Sequence, residues 1–351
     1  MRDIELEQAI DLLLAHAAPV RETERVPLLD AVGRTAAEEV RAGFDNPPFD
    51  RSPLDGYTFA AASTRAASAE HPVRLHVIGE ECAGDFFAGT VGAGECVRIM
   101  TGGAIPAGCD CVVRQEDVRE DGDAIHVSFP SEPYENYCCA GEDIKKGTLL
   151  IQKGQVITAA HIAVLASEGY GDVSVYRRVR AAVASTGDEL LQPGEPLQPG
   201  KIYNSNLYLL AGRLKELGAE VTVLGSVPDD VERAAEVIAS YADRVDLFLT
   251  SGGVSVGKKD IMHGVVPALG AERLFWRVCM KPGAPAIAYT RGAMLGIALS
   301  GNPFAAYATF ELMARPVLAR LSGRSEVLPV RRRAVLADAF PKDCPGRRFL
   351  R

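Results

Sequence analysis

Residues 248–260, FLTSGGVSVGKKD, join an apolar run to a glycine-rich loop that ends in two lysines and a carboxylate. Gly252, Gly257 and Lys258 match G-x-x-x-x-G-K, a spacing that lets backbone N–H groups cradle phosphate. A nucleoside triphosphatase needs Ser or Thr after that lysine to bind magnesium, and Lys259 stands there instead. From these residues alone three readings stay open: a degenerate nucleotide loop, a turn that only reverses the chain, and an anion cradle with a rearranged metal ligand. The third is preferred. It gives the metal-binding role to Asp260, because a carboxylate in the first turn of a helix suits the dipole. Magnesium also takes one or two carboxylates together with substrate phosphate oxygens. Gly252, Gly253, Ser255 and Gly257 are then candidate substrate-binding residues.

Other loops carry complementary chemistry. STGDEL supplies Asp188 and Glu189, and SVPDD supplies Asp229 and Asp230, which could equally be helix caps. Carboxylates gathered on one edge repel one another unless a cation or proton is shared, so these acids point to a metal site with anions nearby. FWRVCMKPGAP places Arg277 and Lys281 on a strand at a spacing that points them the same way, followed by Pro282 and Gly283. Two cations beside a glycine turn suit an oxyanion. LSGNP adds Ser300, Gly301, Asn302 and Pro303 before the last helix. In the first half, Asp55-Gly56-Tyr57, Thr101-Gly102-Gly103 and Asp143 read singly as ordinary turns.

The elements that must position these loops follow from periodicity. VRAAVAST, EVTVLGSV, VDLFLTSG, RLFWRVCM, PAIAYT and MLGIALS read as strands. Between them lie helices from Leu207 to Leu217 (capped by Asn206 or Ser205 and stopped by Gly218), over VERAAEVIASYAD and over IMHGVVPAL, with a closing helix at 304–321. Alternating strands and helices imply a doubly wound, mostly parallel sheet, whose ligands sit beyond the carboxyl ends of the strands. The acidic, basic and glycine-rich loops should therefore meet on one rim. Ile4, Ile10, Leu13 and Leu14 fit one face of an N-terminal amphipathic helix. Residues 45–144 are rich in short strands at hairpin spacing and read as a separate β-rich domain. Residues 26–44 and 145–177 read as an elongated α+β connector, and 325–351 as a truncated C-terminal β domain. The α/β domain takes residues 1–25 and 178–324, so the fold class is multi-domain α/β.

Composition narrows the classes. The chain of 351 residues carries a formal net charge of −8, which argues against nucleic acid as a partner. No apolar run is long enough to cross a bilayer. The eight cysteines form no C-x-x-C pair and, with no export signal, read as reduced thiols of a cytoplasmic protein. The basic positions Arg331, Arg332, Arg333, Arg347 and Arg348 read as a solvated edge strand.

Taken together, SPLDGYTF, MTGGAIPAGCDCVVRQED, AGEDIKKG, STGDEL, NSN, VPDD, TSGGVSVGKKD, MKPGAP and SGNP occur in one order. In that order the chain resembles the molybdopterin molybdenumtransferase (MoeA) and gephyrin E-domain family over nearly its whole length. The resemblance implies a MogA-like α/β domain and a homodimer whose cleft draws on both copies. It implies adenylylated molybdopterin and molybdate as substrates, Mg2+ as cofactor, AMP as product, and a MogA-like adenylyltransferase as upstream partner. It carries catalytic roles to Asp260, Glu189, Asp229, Asp55, Thr101 and Asp143, the last three within the β-rich half. Arg277, Lys281 and Ser300 become the molybdate residues. The sequence departs from the family pattern in basic and turn residues: Arg277 stands for a lysine, Ala284 for a lysine, Cys138 for an arginine and Ser300 for a proline. A paralogue that binds molybdopterin without turnover is the alternative these departures raise.

Overall fold

Residues 180–186, 247–251 and 294–299 are almost wholly buried along their length, as befits strands covered on both faces. The computed structural model describes residues 1–255, 260–335, 337 and 347–350. Gly257, Lys258 and Lys259 of the opening loop lie outside the described residues. The chain divides into two compact units, Met1–Glu39, Ile151–Ile162 and Gly171–Arg351 in one, and Val40–Leu150 and Ala163–Tyr170 in the other.

The first unit is built on a seven-stranded sheet. Its strands are β1 (Arg2–Ile4), β2 (Arg180–Thr186), β3 (Glu220–Val227), β4 (Leu247–Ser251), β5 (Glu272–Val278), β6 (Ile287–Arg291) and β7 (Met294–Leu299), in the spatial order β1-β5-β6-β7-β4-β2-β3. All neighbouring pairs are parallel except those made by β6, which runs antiparallel to β5 and to β7. Helices cover both faces. On one lie α1 (Leu6–His16), α2 (Ser205–Glu216), α5 (Pro303–Thr309) and α6 (Arg315–Leu321), packed on Val183, Leu249 and Ile297. On the other lie α3 (Val231–Ala239) and α4 (Met262–Ala268), packed on Ala182, Phe248 and Tyr289. Leu247 and Leu249 thus face one layer and Phe248 the other, the alternation a pleated strand imposes. Within β7, Gly296 is required because Tyr289 lies directly across from it, and a Cβ there would fall 2.1 Å from the ring.

Four details differ from the sequence reading. Ile4 belongs to β1, which pairs with β5 through Arg2–Trp276 and Ile4–Val278, so the N-terminal helix starts at Leu6. The cap of α2 is Asn204, whose side chain accepts from Leu207 N, and not Asn206 or Ser205. The closing helix is interrupted by a π turn at Phe310–Ala314 between α5 and α6. Strand β5 ends at Val278, so Arg277 and Lys281 do not share one continuous strand.

The second unit holds a six-stranded sheet in the order Cys111–Arg114, Gly56–Phe59, Glu95–Ile99, Val73–Glu81, Ala124–Val127 and Arg119–Asp121. Tyr57, Phe59, Leu75, Cys96, Val113 and Ile125 form its core. Of the described residues after 324, Arg347–Arg348 form a two-residue strand parallel to Met280–Lys281. No helix among the described residues is long and apolar enough to cross a membrane.

Candidate active site

Because β2, β3, β4 and β7 are mutually parallel, the loops after Thr186, Val227, Ser251 and Leu299 emerge on one edge. There they enclose a cavity of about 320 Å3. Glu189, Asp229 and Asp260 line it, with Gly252, Gly253, Ser255, Ser300, Gly301 and Pro303. The rim expected from sequence therefore brings together two acidic loops, the glycine loop with Asp260 and the start of α5.

The local geometry explains the residue types. Gly252 adopts φ +98°, and a Cβ on it would lie 2.6 Å from the Thr186 carbonyl oxygen and 2.8 Å from Thr186 Oγ1. Gly253, at φ +67°, would place one 2.9 Å from the same hydroxyl. The end of β4 can lie against the end of β2 only without side chains at these two positions. Gly187 does the same for Glu189, whose carboxylate folds back to within 2.7 Å of where a Cβ would be. Of the SVPDD acids, Asp230 is the cap of α3, accepting from Arg233 N at 2.9 Å. Asp229 turns into the cavity and accepts from Asp188 N at 3.3 Å. Asn302 caps α5 through Ala305 N, with Pro303 as the first helical residue, while Ser300 Oγ accepts from Asn302 N.

Asn204, which sequence reasoning passed over as a cap, and Asn206, which it weighed only as one, organise the floor. Asn204 accepts from Ser185 Oγ at 3.0 Å, tying α2 to β2. Asn206 Nδ2 donates to Ser251 Oγ and to the Gly301 carbonyl, both at 2.8 Å, tying the ends of β4 and β7 together. The signal was present as NSN, two amides at the start of a helix, but the partner of Asn204 lies 19 residues away and those of Asn206 lie 45 and 95 residues away.

Arg277, Lys281, Pro282, Gly283 and Asn302 are not among the cavity's lining residues. Arg277 adopts φ +67° and pairs with Asp3 at 3.1 Å. Its left-handed backbone breaks the alternation that the sequence reading used to aim it with Lys281. Gly283 packs on α5, where a Cβ would lie 2.4 Å from Thr309 Oγ1.

The β-rich unit forms its own constellation. Gly56 opposes Ile99 across two antiparallel strands, which brings the flanking Asp55 and Thr101 together. Asp55 Oδ1 accepts from Thr101 N at 2.7 Å and from Thr101 Oγ1 at 2.8 Å. These two bonds, with a smaller contribution from Arg98, hold the Asp55 carboxyl below its ordinary value. Asp143 lies 3.5 Å from the Arg51 guanidinium.

Oxygen donors from Glu189, Asp229 and Asp260 suit a hard cation. Among the described residues no three acidic, His or Cys side chains converge tightly enough to hold one unaided. Magnesium would need phosphate oxygens of a ligand to complete its shell, so the donor set fits a metal that arrives with its substrate.

Both halves of the chain match families of known proteins. Residues 4–169 match the family described as MoeA N-terminal region (domain I and II), and residues 182–320 match "Probable molybdopterin binding domain". The molybdopterin molybdenumtransferase of Bacillus subtilis (strain 168) is 37% identical over 96% of this chain and 80% of its own length. That of Staphylococcus aureus (strain Mu50) is 37% identical over 93% of this chain and 78% of its own. The crystal structure of the molybdopterin biosynthesis MoeA protein from Pyrococcus horikoshii superposes with a TM-score of 0.82 at 34% identity, covering 92% of this chain and 81% of that one. With a shared multi-domain α/β architecture and identity at this level over nearly its full length, the chain belongs to the molybdopterin molybdenumtransferase family.

Proposed function

We propose that this protein acts in molybdenum cofactor biosynthesis, inserting molybdenum from molybdate into adenylylated molybdopterin with release of AMP. The observation that carries the reading is the rim cavity, where Glu189, Asp229 and Asp260 face the backbone of Gly252 and Gly253 in a chain whose relatives are molybdopterin molybdenumtransferases.

Each residue then has a part. Backbone N–H groups of residues 253–255 and the Ser300 hydroxyl donate to anionic oxygens. Asp260 and Glu189 would hold magnesium, and Asp229 orients water toward the phosphoanhydride. Bound magnesium would supply charge neutralisation at the anhydride oxygens. Arg277 and Lys281, outside the cavity lining, provide a cationic approach for molybdate. The proposal includes a homodimer in the cytoplasm, with Asp55 and Thr101 serving the reaction of the partner copy and Asp143 a further catalytic residue, and a MogA-like adenylyltransferase as the source of the adenylylated substrate.

The test is AMP release from adenylylated molybdopterin in the presence of molybdate and magnesium. The wild-type protein should turn over, and Asp260→Ala should abolish turnover. Tight binding of molybdopterin with no AMP from the wild-type protein would replace this reading with the non-catalytic paralogue.

A further inference from the structure

The edge of the sheet opposite the rim, where β2 and β3 begin, is crowded with arginine. A cavity of about 20 Å3 there is lined by Arg34, Arg177, Arg178 and Arg324. A larger one, about 60 Å3, is lined by Arg324, by Arg315, Leu318 and Ala319 of α6, and by residues 326–329. Arg324 belongs to both. Its sheltered neighbours each hold a carboxylate: Arg34 pairs with Glu24, and Arg177 with Glu22 and Asp246. Arg315 shares Glu311 with Arg213. Arg178 is exposed and donates to the Gly218 carbonyl at 3.0 Å. Arg324 is half-buried and, among the described residues, pairs with no carboxylate. One terminal nitrogen donates to the Leu217 carbonyl at 3.3 Å, at the C-terminal end of α2, while its Nε is wholly buried without a hydrogen-bond partner. Glu326, exposed at the wall of the larger cavity, lies too far from both arginines to form an ion pair.

A cation suits the C-terminal end of a helix, and the Leu217 carbonyl takes one of the guanidinium hydrogens. That bond does not balance the charge. Burial, and the Arg315 charge nearby, both push the Arg324 guanidinium below its ordinary value. A water molecule would satisfy the Nε–H and leave the charge uncompensated, whereas an anion would answer both needs. A volume of about 60 Å3 admits an ion of a few atoms and excludes a nucleotide. We propose that the larger cavity is a binding site for a small inorganic oxyanion of the phosphate or sulfate type, held by the guanidinium groups of Arg324 and Arg315. The site lies at the opposite end of the strands from Glu189, Asp229 and Asp260, so it stands independently of the proposed function. An anion bound there, and only in the folded chain, stabilises the junction of α2 with α6 by mass action.

The buried Nε–H of Arg324 gives a site-specific readout by 15N NMR, and its resonance is assigned as the one that Arg324→Lys removes. Titration of the wild-type protein with sodium phosphate or sodium sulfate at constant ionic strength should shift that resonance saturably. Sodium chloride at the same ionic strength should not. Followed by the same resonance, Arg315→Gln should weaken phosphate by about tenfold or more, the effect of losing one charge-assisted partner. Glu326→Gln, which removes a negative charge from the cavity wall, should tighten it by about threefold. Both variants lie at positions open enough to solvent to leave the fold intact, the Arg315 side chain being 42% exposed. Thermal unfolding adds a second measurement, in which phosphate should raise the Tm of the wild-type protein and leave that of Arg324→Met unchanged. An Arg324 resonance that phosphate leaves in place, or that chloride moves equally, overturns the site. An affinity untouched by Arg315→Gln overturns it as well. Phosphate binding that shifts other resonances and not this one places the anion elsewhere and has the same force.

Discussion

Replacing Gly252 by alanine tests whether the rim is as closely assembled as its geometry requires. The position holds φ +98°, and an L-residue forced into left-handed backbone costs about 1–2 kcal/mol. The added Cβ would also sit 2.6 Å from the Thr186 carbonyl oxygen and 2.8 Å from its hydroxyl, roughly 1 Å inside normal contact. Thr186 is buried at the end of a strand paired on both sides, so it cannot step aside without moving β2. Overpacking of this kind adds about 1–3 kcal/mol, for a total of about 2–5 kcal/mol. In a unit of this size that lowers Tm by about 5–15 °C. If the loop relieves the clash by shifting, stability is spared and the backbone donors leave their places, so AMP release should fall by about tenfold or more. Differential scanning calorimetry and the AMP-release assay together capture both routes. Gly253→Ala, with its 2.9 Å approach to a rotatable hydroxyl, should be the milder change. Were Gly252→Ala to keep both Tm and turnover, the close approach of β4 to β2 would not be what shapes the cavity.

Further outcomes follow from other contacts. Asn206→Asp sets a carboxylate against the Gly301 carbonyl where an amide nitrogen donated two hydrogens, so turnover should fall. The ratio of variant to wild-type AMP release should then rise as pH is lowered from about 8 to 6, because a buried acid is readily protonated and then donates again; a flat ratio would contradict this role. Asp246 takes both terminal nitrogens of Arg177, at 2.8 and 2.9 Å, and the backbone N–H of Arg180, so Asp246→Ala should cost about 2–3 kcal/mol in urea unfolding. A change under about 0.5 kcal/mol would show the network to be dispensable. The Asp55 carboxyl should ionise below about 3.9 in an NMR titration, and Thr101→Val should raise it. The stabilisation it gives is complete above that ordinary value and is lost as pH falls through the depressed one. Titration of wild-type Asp55 at or above about 3.9 would argue against the Thr101 bonds.

Much of the α/β unit was legible because apolar runs bounded by Gly and Pro have few other solutions. From the strands, the rule that ligands gather beyond carboxyl ends placed Glu189, Asp229 and Asp260 in one cavity. What escaped the sequence depended on distant partners. A three-residue strand at Arg2–Ile4 exists only because β5 offers it hydrogen-bonding groups, and local periodicity reads the same residues as helix. Asn204 and Asn206 are equally good caps by type, and only Leu207 N, Ser251 and Gly301 decide between them. Arg277 in left-handed backbone had no local marker, since glycine or asparagine is the usual sign.

The reversed strand β6 has a bearing on how this family can vary. Because the chain leaves β5 and re-enters β6 on one side of the sheet, residues 279–286 form a hairpin-like excursion and not a crossover helix. Such a loop can change in sequence at its exposed positions while the strand order stays as it is. Within the loop, Met280 and Ala286 are buried in the core and Gly283 lies against α5, so these three positions tie the excursion to the scaffold and the residues between them are the ones free to change.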